Sequence, residues 1–341
     1  IRSCASDPKL ANFQLTWYLM ASLYTGATMP MVGLGTWQAT DGVVQGAIAT
    51  ALDAGYRHID CAACYGNEAE CGAAFAKAFA DGGVCSRSEV FITGKLWNSE
   101  HAPEHVGPAM AQTLRELQLE CLDLYLVHWP QAFQHVDGST RSFPRDADGN
   151  MQYDLETSLE ATWGAMEALV TAGKTKAIGL SNFNASQIQR ILDCATIKPA
   201  VLQVEAHVFF ANEELRAFCA ANGIVMTAYS PLGNGKPLKS GESLLAHPVL
   251  AEIGAKYGGK TSAQMAIAAL VNRGIPTFPK STNAGRIAEN FDTQFTIDAA
   301  DLATIAALNR DARTGWGGPL VVRDGVEQPR DCVHPHYPFE W

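Results

Sequence analysis

Four side chains have the types and spacing for acid–base chemistry. Residues 55–72, GYRHIDCAACYGNEAECG, read as a short strand that breaks into a tight turn and a helix, delivering Asp60 and Tyr65 to one rim five residues apart. Two later apolar runs end the same way: VFITGKL carries Lys95, and LDLYLVHWP carries His128 just ahead of the break at Pro130. The carboxyl ends of strands are where an α/β barrel holds its active site. A phenol, with a pKa of about 10, is a weak acid at neutral pH, but an ammonium within hydrogen-bond reach favours its phenolate. Lys95 is placed to acidify Tyr65 in this way, and Asp60 to keep Lys95 charged if it is buried. Neutral His128 can donate from one ring nitrogen to a carbonyl oxygen and orient it. The set suits protonation of an oxygen that is gaining negative charge, a transfer worth ~10²–10⁴-fold.

No side chain supplies a hydride, so reducing a carbonyl with this set requires a nicotinamide cofactor. FPKSTNAGRIAENF puts Lys280, Ser281 and Thr282 ahead of a helix that starts near Ala284 with Arg286 in its first turn. Two cations and two hydroxyls around a helix N-terminus make a phosphate pocket. The paired cations favour a 2′-phosphate, hence NADPH over NADH.

The elements that position these groups alternate regularly. Strands are predicted at 57–61, 90–95, 122–127, 176–180, 201–205, 224–229, 275–279 and 294–297, each followed by a helical stretch. Eight β–α alternations read as a closed parallel (β/α)8 TIM barrel, and a hairpin is expected within residues 23–37, where Thr25-Gly26 breaks two short runs. Helical stripes are predicted at Cys71, Phe75 and Phe79, at Val106, Met110 and Leu114, and at Leu155, Leu159, Trp163, Met166 and Val170. Asn184 with Gln187 and Thr261 with Gln264 have capping-box spacing, while Gly173 and Asn222-Gly223 mark helix ends. Two stretches, 131–154 and 309–341, are too long for plain turns and should overhang the carboxyl-end rim.

The chain has 341 residues, enough for one such barrel with loops. Residues 23–341 are expected to form that single domain, with 1–22 an extension or cloning remnant. A net charge of −10 sets no field for nucleic acid or an anionic membrane surface. The apolar stretch near residues 15–24 is too short to span a bilayer. Nine irregularly spaced cysteines point to a reducing, cytoplasmic setting and not to a disulfide scaffold. No extended apolar stripe is left for a partner, so a monomer is expected.

Other motifs carry less. Gly33-Leu34-Gly35 lacks the third glycine of a dinucleotide fingerprint, since Gln38 stands in its place. Cys61 and Cys64 have dithiol spacing but no matching second pair, and His334 with His336 reads as tail packing. No cluster of His and carboxylate ligands stands at the strand ends, so no metal is expected.

The order of nine blocks carries a resemblance. MPMVGLGTW, GYRHIDCAACYGNE, FITGKLW, LDLYLVHWP, AIGLSNFN, LQVEAH, TAYSPLG, FPKSTNAGRIAENF and HPHYPF together resemble the aldo-keto reductases, closest to the aldose and aldehyde reductase branch. The resemblance implies NADP(H) extended across the barrel rim and reduction of aldehydes, aldose sugars among them, or ketones. Tyr65 would be the proton donor, tuned by Lys95 and Asp60, with His128 orienting the carbonyl. It also implies a cofactor site of Thr36, Trp37, Asp60, Ser181, Asn182, Gln203, Tyr229, Ser230, Leu232, Lys280, Ser281, Thr282, Arg286, Glu289 and Asn290. The substrate pocket would be Trp37, Tyr65, Trp97, His128, Trp129 and Phe133. Val208, Asn283 and the tail GWGGPLVVRDGVEQPRDC depart from that branch. The alternative is a reductase-like protein that holds NADPH for a regulatory or structural purpose with little turnover.

Overall fold

The computed structural model describes residues 20–39, 42–314, 319–323 and 325–339. Of residues 1–22, read as an extension, 1–19 lie outside the described residues and Met20–Ser22 form a strand. The sequence pattern of buried apolar runs produces eight parallel strands in chain order: β3 (Leu34–Gly35), β4 (His58–Asp60), β5 (Phe91–Leu96), β6 (Leu124–Val127), β7 (Ile178–Ser181), β8 (Val201–Glu205), β9 (Val225–Tyr229) and β10 (Thr277–Phe278). Parallel bridges Val32↔Thr277 and Gly35↔Lys280 join the last strand to the first and close the barrel.

Two of the strand expectations are corrected. Residues 294–297 belong to no sheet and bend at Phe295. Asn272 takes up their polar backbone instead, donating to Phe295 O at 2.9 Å and accepting from Ile297 N at 2.9 Å. The eighth strand is Leu34–Gly35, at the other end of the chain. Its apolar signal is diluted by glycines that closure demands: a Cβ on Gly33 would lie 2.8 Å from the Phe278 ring, and one on Gly35 would lie 3.0 Å from Phe278 O.

The hairpin is present but begins earlier than residue 23. β1 (Met20–Ser22) pairs antiparallel with β2 (Thr28–Pro30). Leu23 and Met29 pack on Phe91, Leu124, Ala200 and Val201, residues at the amino ends of the barrel strands. The hairpin therefore plugs the end opposite the predicted site. Within the barrel His58 sits between Phe91 and Phe278, with ring centroids 4.8 and 4.6 Å away, and its Nε2 is 2.9 Å from Thr93 Oγ1.

Burial pushes the His58 imidazole down to about 4. Its folded value lies below the unfolded one, so the stability it protects is complete above pH ~6.5 and is lost as pH falls towards 4. A loss of ~3 kcal/mol from this residue is expected. Thermal melts of parent and His58→Gln across that window check it: the variant should lack this part of the acid slope.

The helical expectations mostly hold. Helix Glu68–Phe79 buries Cys71 and Phe75, and helix Pro103–Leu117 buries Val106, Met110 and Leu114. Gly72 lets the two touch, since a Cβ there would fall 2.1 Å from Glu116 O. Asn184 with Gln187 and Thr261 with Gln264 form capping boxes. The stripe at 155–170 is shorter than predicted: Ser158 caps helix Leu159–Thr171, and Leu155 lies outside it, 64% exposed.

The described parts of both long segments fold over the carboxyl-end rim. Loop 131–154 doubles back through bridges Phe133↔Tyr153 and Arg145↔Met151. The tail forms β11 (Leu320–Arg323) and β12 (Val326–Pro329), then a short turn of 3-10 helix, Arg330–Val333. Tyr153 OH donates to Asp331 Oδ1 at 2.9 Å and latches loop to tail. The tail hairpin exposes Leu320, Val322 and Val326, an apolar surface not apparent in the sequence. No helix among the described residues is long and apolar enough to cross a membrane.

Candidate active site

β4, β5 and β6 are adjacent parallel strands and end side by side at the barrel mouth. β4 ends in Asp60, β5 carries Lys95 one residue from its end, and His128 follows β6 directly. The turn after β4 is a single 3-10 turn, Ala63–Tyr65, closed by Gly66 at φ 72°. That turn swings Tyr65 back over the rim. Lys95 is fully buried, and its Nζ donates to Asp60 Oδ2 at 2.7 Å, to Cys61 O at 2.9 Å and to Tyr65 OH at 3.3 Å. The Tyr65 and His128 rings meet edge to face, 5.8 Å between centroids. All four predicted residues therefore converge.

One electrostatic expectation is reversed. The Tyr65 phenol is pushed well above its ordinary value, first by burial of its hydroxyl and then by the charge of Asp60. Lys95 spends its charge on Asp60 at the shorter distance, so its pull on the phenol is offset. The Tyr65 hydroxyl therefore keeps its proton at neutral pH and is not a pre-formed phenolate. Burial, Lys95 and His101 hold the His128 imidazole well below its usual range, so it is neutral, as expected.

A second ring of predicted residues is wired to these. Gln203 Nε2 donates to Asp60 Oδ1 at 2.8 Å. Asn182 Nδ2 donates to His128 O at 3.0 Å and to Ser181 Oγ at 3.2 Å, while its Oδ1 accepts from Tyr229 OH at 2.8 Å. Asn182 and Ser230, just past β7 and β9, adopt left-handed φ values of 63° and 49°. Such backbone in a residue other than Gly costs about 1–2 kcal/mol and concentrates at binding sites. Thr36 is buried with its hydroxyl on Asp60 O at 2.8 Å, and Leu232 is half-buried. The half-buried Trp37 follows Thr36 in the turn after β3.

At the barrel seam, Asn283 caps helix Ala284–Phe291 by accepting from Arg286 N at 3.0 Å. Ser281 and Asn290 are buried, whereas Lys280, Thr282, Arg286 and Glu289 are exposed around the helix start. Exposed cations on a helix N-terminus fit the phosphate end of a dinucleotide. Around the mouth, Trp97 packs edge-on to His128 at 5.4 Å and to Phe133 at 5.8 Å, and Trp129 meets Phe339 of the tail at 6.0 Å. The resemblance assigns Trp97, Trp129 and Phe133 to a substrate pocket, and these rings pack around the mouth.

The structure adds residues that the sequence reading passed over. Asn67 Nδ2 donates to Thr36 O and Ala39 O, both at 2.9 Å, tying the turn after β3 to the Tyr65 loop. Met151 and Phe143 complete the wall around Trp97, whose Nε1 donates to Ser142 O at 2.8 Å. Cys64 Sγ lies 3.5 Å from His128 Nδ1. Loop residues such as Phe143 and Met151 show no periodicity to betray them. Cys64 was visible only as half of a discounted dithiol, and all described cysteines are unpaired.

Comparisons agree with this geometry. Residues 31–310 match the model of the Aldo/keto reductase family. The chain is 47% identical over 322 residues to aldo-keto reductase family 1 member A1 of Xenopus tropicalis, covering 93% of this chain and 96% of that protein. It is 46% identical over 321 residues to the Homo sapiens protein of the same name, covering 93% and 97%. The solved structure of the aldose reductase from Schistosoma japonicum superposes with a TM-score of 0.83 at 38% identity, over 94% of this chain and 98% of that one. With its closed (β/α)8 barrel and an acid, a phenol, an ammonium and an imidazole converging at the mouth, the chain belongs to the aldo/keto reductase family of carbonyl-reducing oxidoreductases.

Proposed function

We propose that the protein reduces aldehydes, aldose sugars among them, to alcohols at the expense of NADPH, with Tyr65 as proton donor. The observation that carries this reading is the Asp60–Lys95–Tyr65 chain of hydrogen bonds beside a neutral His128. When bound, the reduced dinucleotide supplies the hydride that no side chain here can provide. Tyr229, Asn182, Ser181 and Gln203 would hold its nicotinamide end, beside Thr36 and Trp37. Ser230, Leu232 and the residues from Lys280 to Asn290 would hold its phosphates and adenosine.

His128 offers a ring N–H to the carbonyl oxygen and fixes it against Tyr65. As negative charge grows on that oxygen, Tyr65 passes its hydroxyl proton across. The resulting phenolate faces Lys95 at 3.3 Å, where the ammonium offsets its charge. Trp97, Trp129 and Phe133 exclude water from the reacting carbonyl. The eight unpaired cysteines among the described residues support a cytoplasmic setting. Nothing in this scheme requires a second copy, and we take a monomer as the working state.

Cofactor choice is tested at the exposed cations. Lys280→Met and Arg286→Ala should each weaken NADPH by about 10-fold or more, the order expected for a lost charge-assisted hydrogen bond to phosphate, and leave NADH nearly unchanged. Titration of protein fluorescence with both dinucleotides measures this. Equal losses for the two would remove the 2′-phosphate assignment. Tight NADPH binding without turnover on a broad panel of aldehydes would favour the regulatory alternative.

A further inference from the structure

One cluster beside the substrate wall has donor atoms with no assigned task. Glu100 closes the 3-10 turn Asn98–Glu100 and is fully buried. Its Oε1 accepts from Ser99 Oγ at 2.8 Å and lies 3.2 Å from His135 Nδ1. Its Oε2 is sealed from solvent with no hydrogen bond of its own, although the same His135 nitrogen is 3.2 Å away. An unsatisfied carboxylate oxygen at that depth is costly.

Two imidazoles face it. His135 comes from loop 131–154 and His105 from helix Pro103–Leu117, and their rings stack 3.7 Å apart with planes 11° from parallel. Asp137 Oδ1 lies 3.6 Å from His135 Nε2. That distance is too long for a hydrogen bond, so His135 is anchored by Nδ1 alone, and an ion held there would replace the proton that Nδ1 shares with Glu100. Donor atoms of Glu100, His105 and His135 all lie within 4.8 Å of one another. A cavity of about 400 Å³, lined by Ser99, His105, Phe133, His135 and Tyr153 among others, opens beside them and has room for solvent ligands.

We propose that Glu100, His105 and His135 bind one divalent transition-metal ion of the zinc class, with solvent completing its shell, and that the ion fastens loop 131–154 to the turn below it. Two neutral nitrogens and one carboxylate suit zinc, nickel or cobalt, whereas calcium and magnesium prefer an all-oxygen shell. Bond lengths of ~2.0–2.2 Å require the ligands to draw together, which rotation of the two half-exposed imidazoles provides. The loop supplies Phe133 and Met151 to the pocket wall, and Phe133 N already donates to Asn98 O at 2.8 Å. The ion therefore stiffens that wall without touching the reacting groups. The site was absent from the sequence reading, which expected no metal.

The test uses the full chain after chelator treatment and is independent of turnover. Calorimetric titration with Zn²⁺ should show one ion per chain, and Zn²⁺ should raise the thermal midpoint where Mg²⁺ and Ca²⁺ do not. Co²⁺ should give ligand-field bands without thiolate charge transfer, which separates this site from the cysteines. His105→Asn and His135→Asn should weaken Zn²⁺ by about 100-fold, while their metal-free midpoints match the parent's. Absence of stoichiometric uptake, a thiolate band, or parental affinity in both variants would overturn the proposal. The cobalt spectrum of the unaltered chain decides the ligand type even if a variant folds poorly.

Discussion

Replacing Tyr65 by Phe should lower kcat/KM for aldehyde reduction by ~10²–10⁴-fold, the size of a lost proton transfer, while leaving dinucleotide affinity intact. The substitution keeps the ring that packs on His128 at 5.8 Å and removes only the hydroxyl, which accepts from Lys95 at 3.3 Å. Folding should be unaffected. Steady-state rates with saturating cofactor, together with fluorescence titration of the dinucleotide, separate the two effects. A variant that turns over like the parent would transfer the donor role elsewhere. The pH profile gives a further check with a definite sign. Burial and Asp60 raise the phenol, so the required acid form persists through neutrality and is lost only above the ordinary phenol range. A rate that falls between pH ~6 and ~8 would contradict this arrangement.

Lys95→Met should be the most damaging single change in stability. Asp60 lies inside the barrel mouth with Lys95 Nζ at 2.7 Å and Gln203 Nε2 at 2.8 Å. Removing the ammonium strands a buried carboxylate with a hydrogen bond from the Gln203 amide but no countercharge, and breaking such a pair costs ~3–5 kcal/mol. Thermal unfolding should register the loss directly. Turnover should fall as well, because the phenolate left after proton transfer has no cation beside it. The double change Asp60→Asn with Lys95→Met separates the two consequences. It removes the stranded charge and should restore most of the stability, yet turnover should stay low. Recovery of both together would mean that Lys95 serves the fold alone.

Much of this site was legible because barrel strands announce their ends. Lys95 and His128 stand near the ends of largely apolar runs, and Asp60 where a short strand breaks into a turn, signals that the sequence carries. The first strand was illegible for the opposite reason: Gly33 and Gly35 serve closure against Phe278, and glycine has no β signal. Residues 294–297 show the converse, a β-like run whose backbone is satisfied by one Asn272 side chain. The direction of the Tyr65 shift depends on how deep its hydroxyl sits and which carboxylate claims Lys95, and neither is encoded by spacing. Glu100, His105 and His135 come from a turn, a helix and a loop, so no motif could unite them. The pocket wall was readable at Trp97, Trp129 and Phe133 only through family position, and Phe143 and Met151 needed the fold of loop 131–154.

The way the C-terminal tail is held has a consequence for how this pocket can diversify. Asn184 Nδ2 grips Pro338 O at 3.1 Å and Gln187 Nε2 grips His336 O at 2.9 Å, from a capping box that helix Ala185–Cys194 needs in any case. Both handles are main-chain oxygens, which every amino acid carries. Side chains along this segment can thus be exchanged by mutation while its moorings persist, leaving selectivity free to drift on an unaltered catalytic chassis.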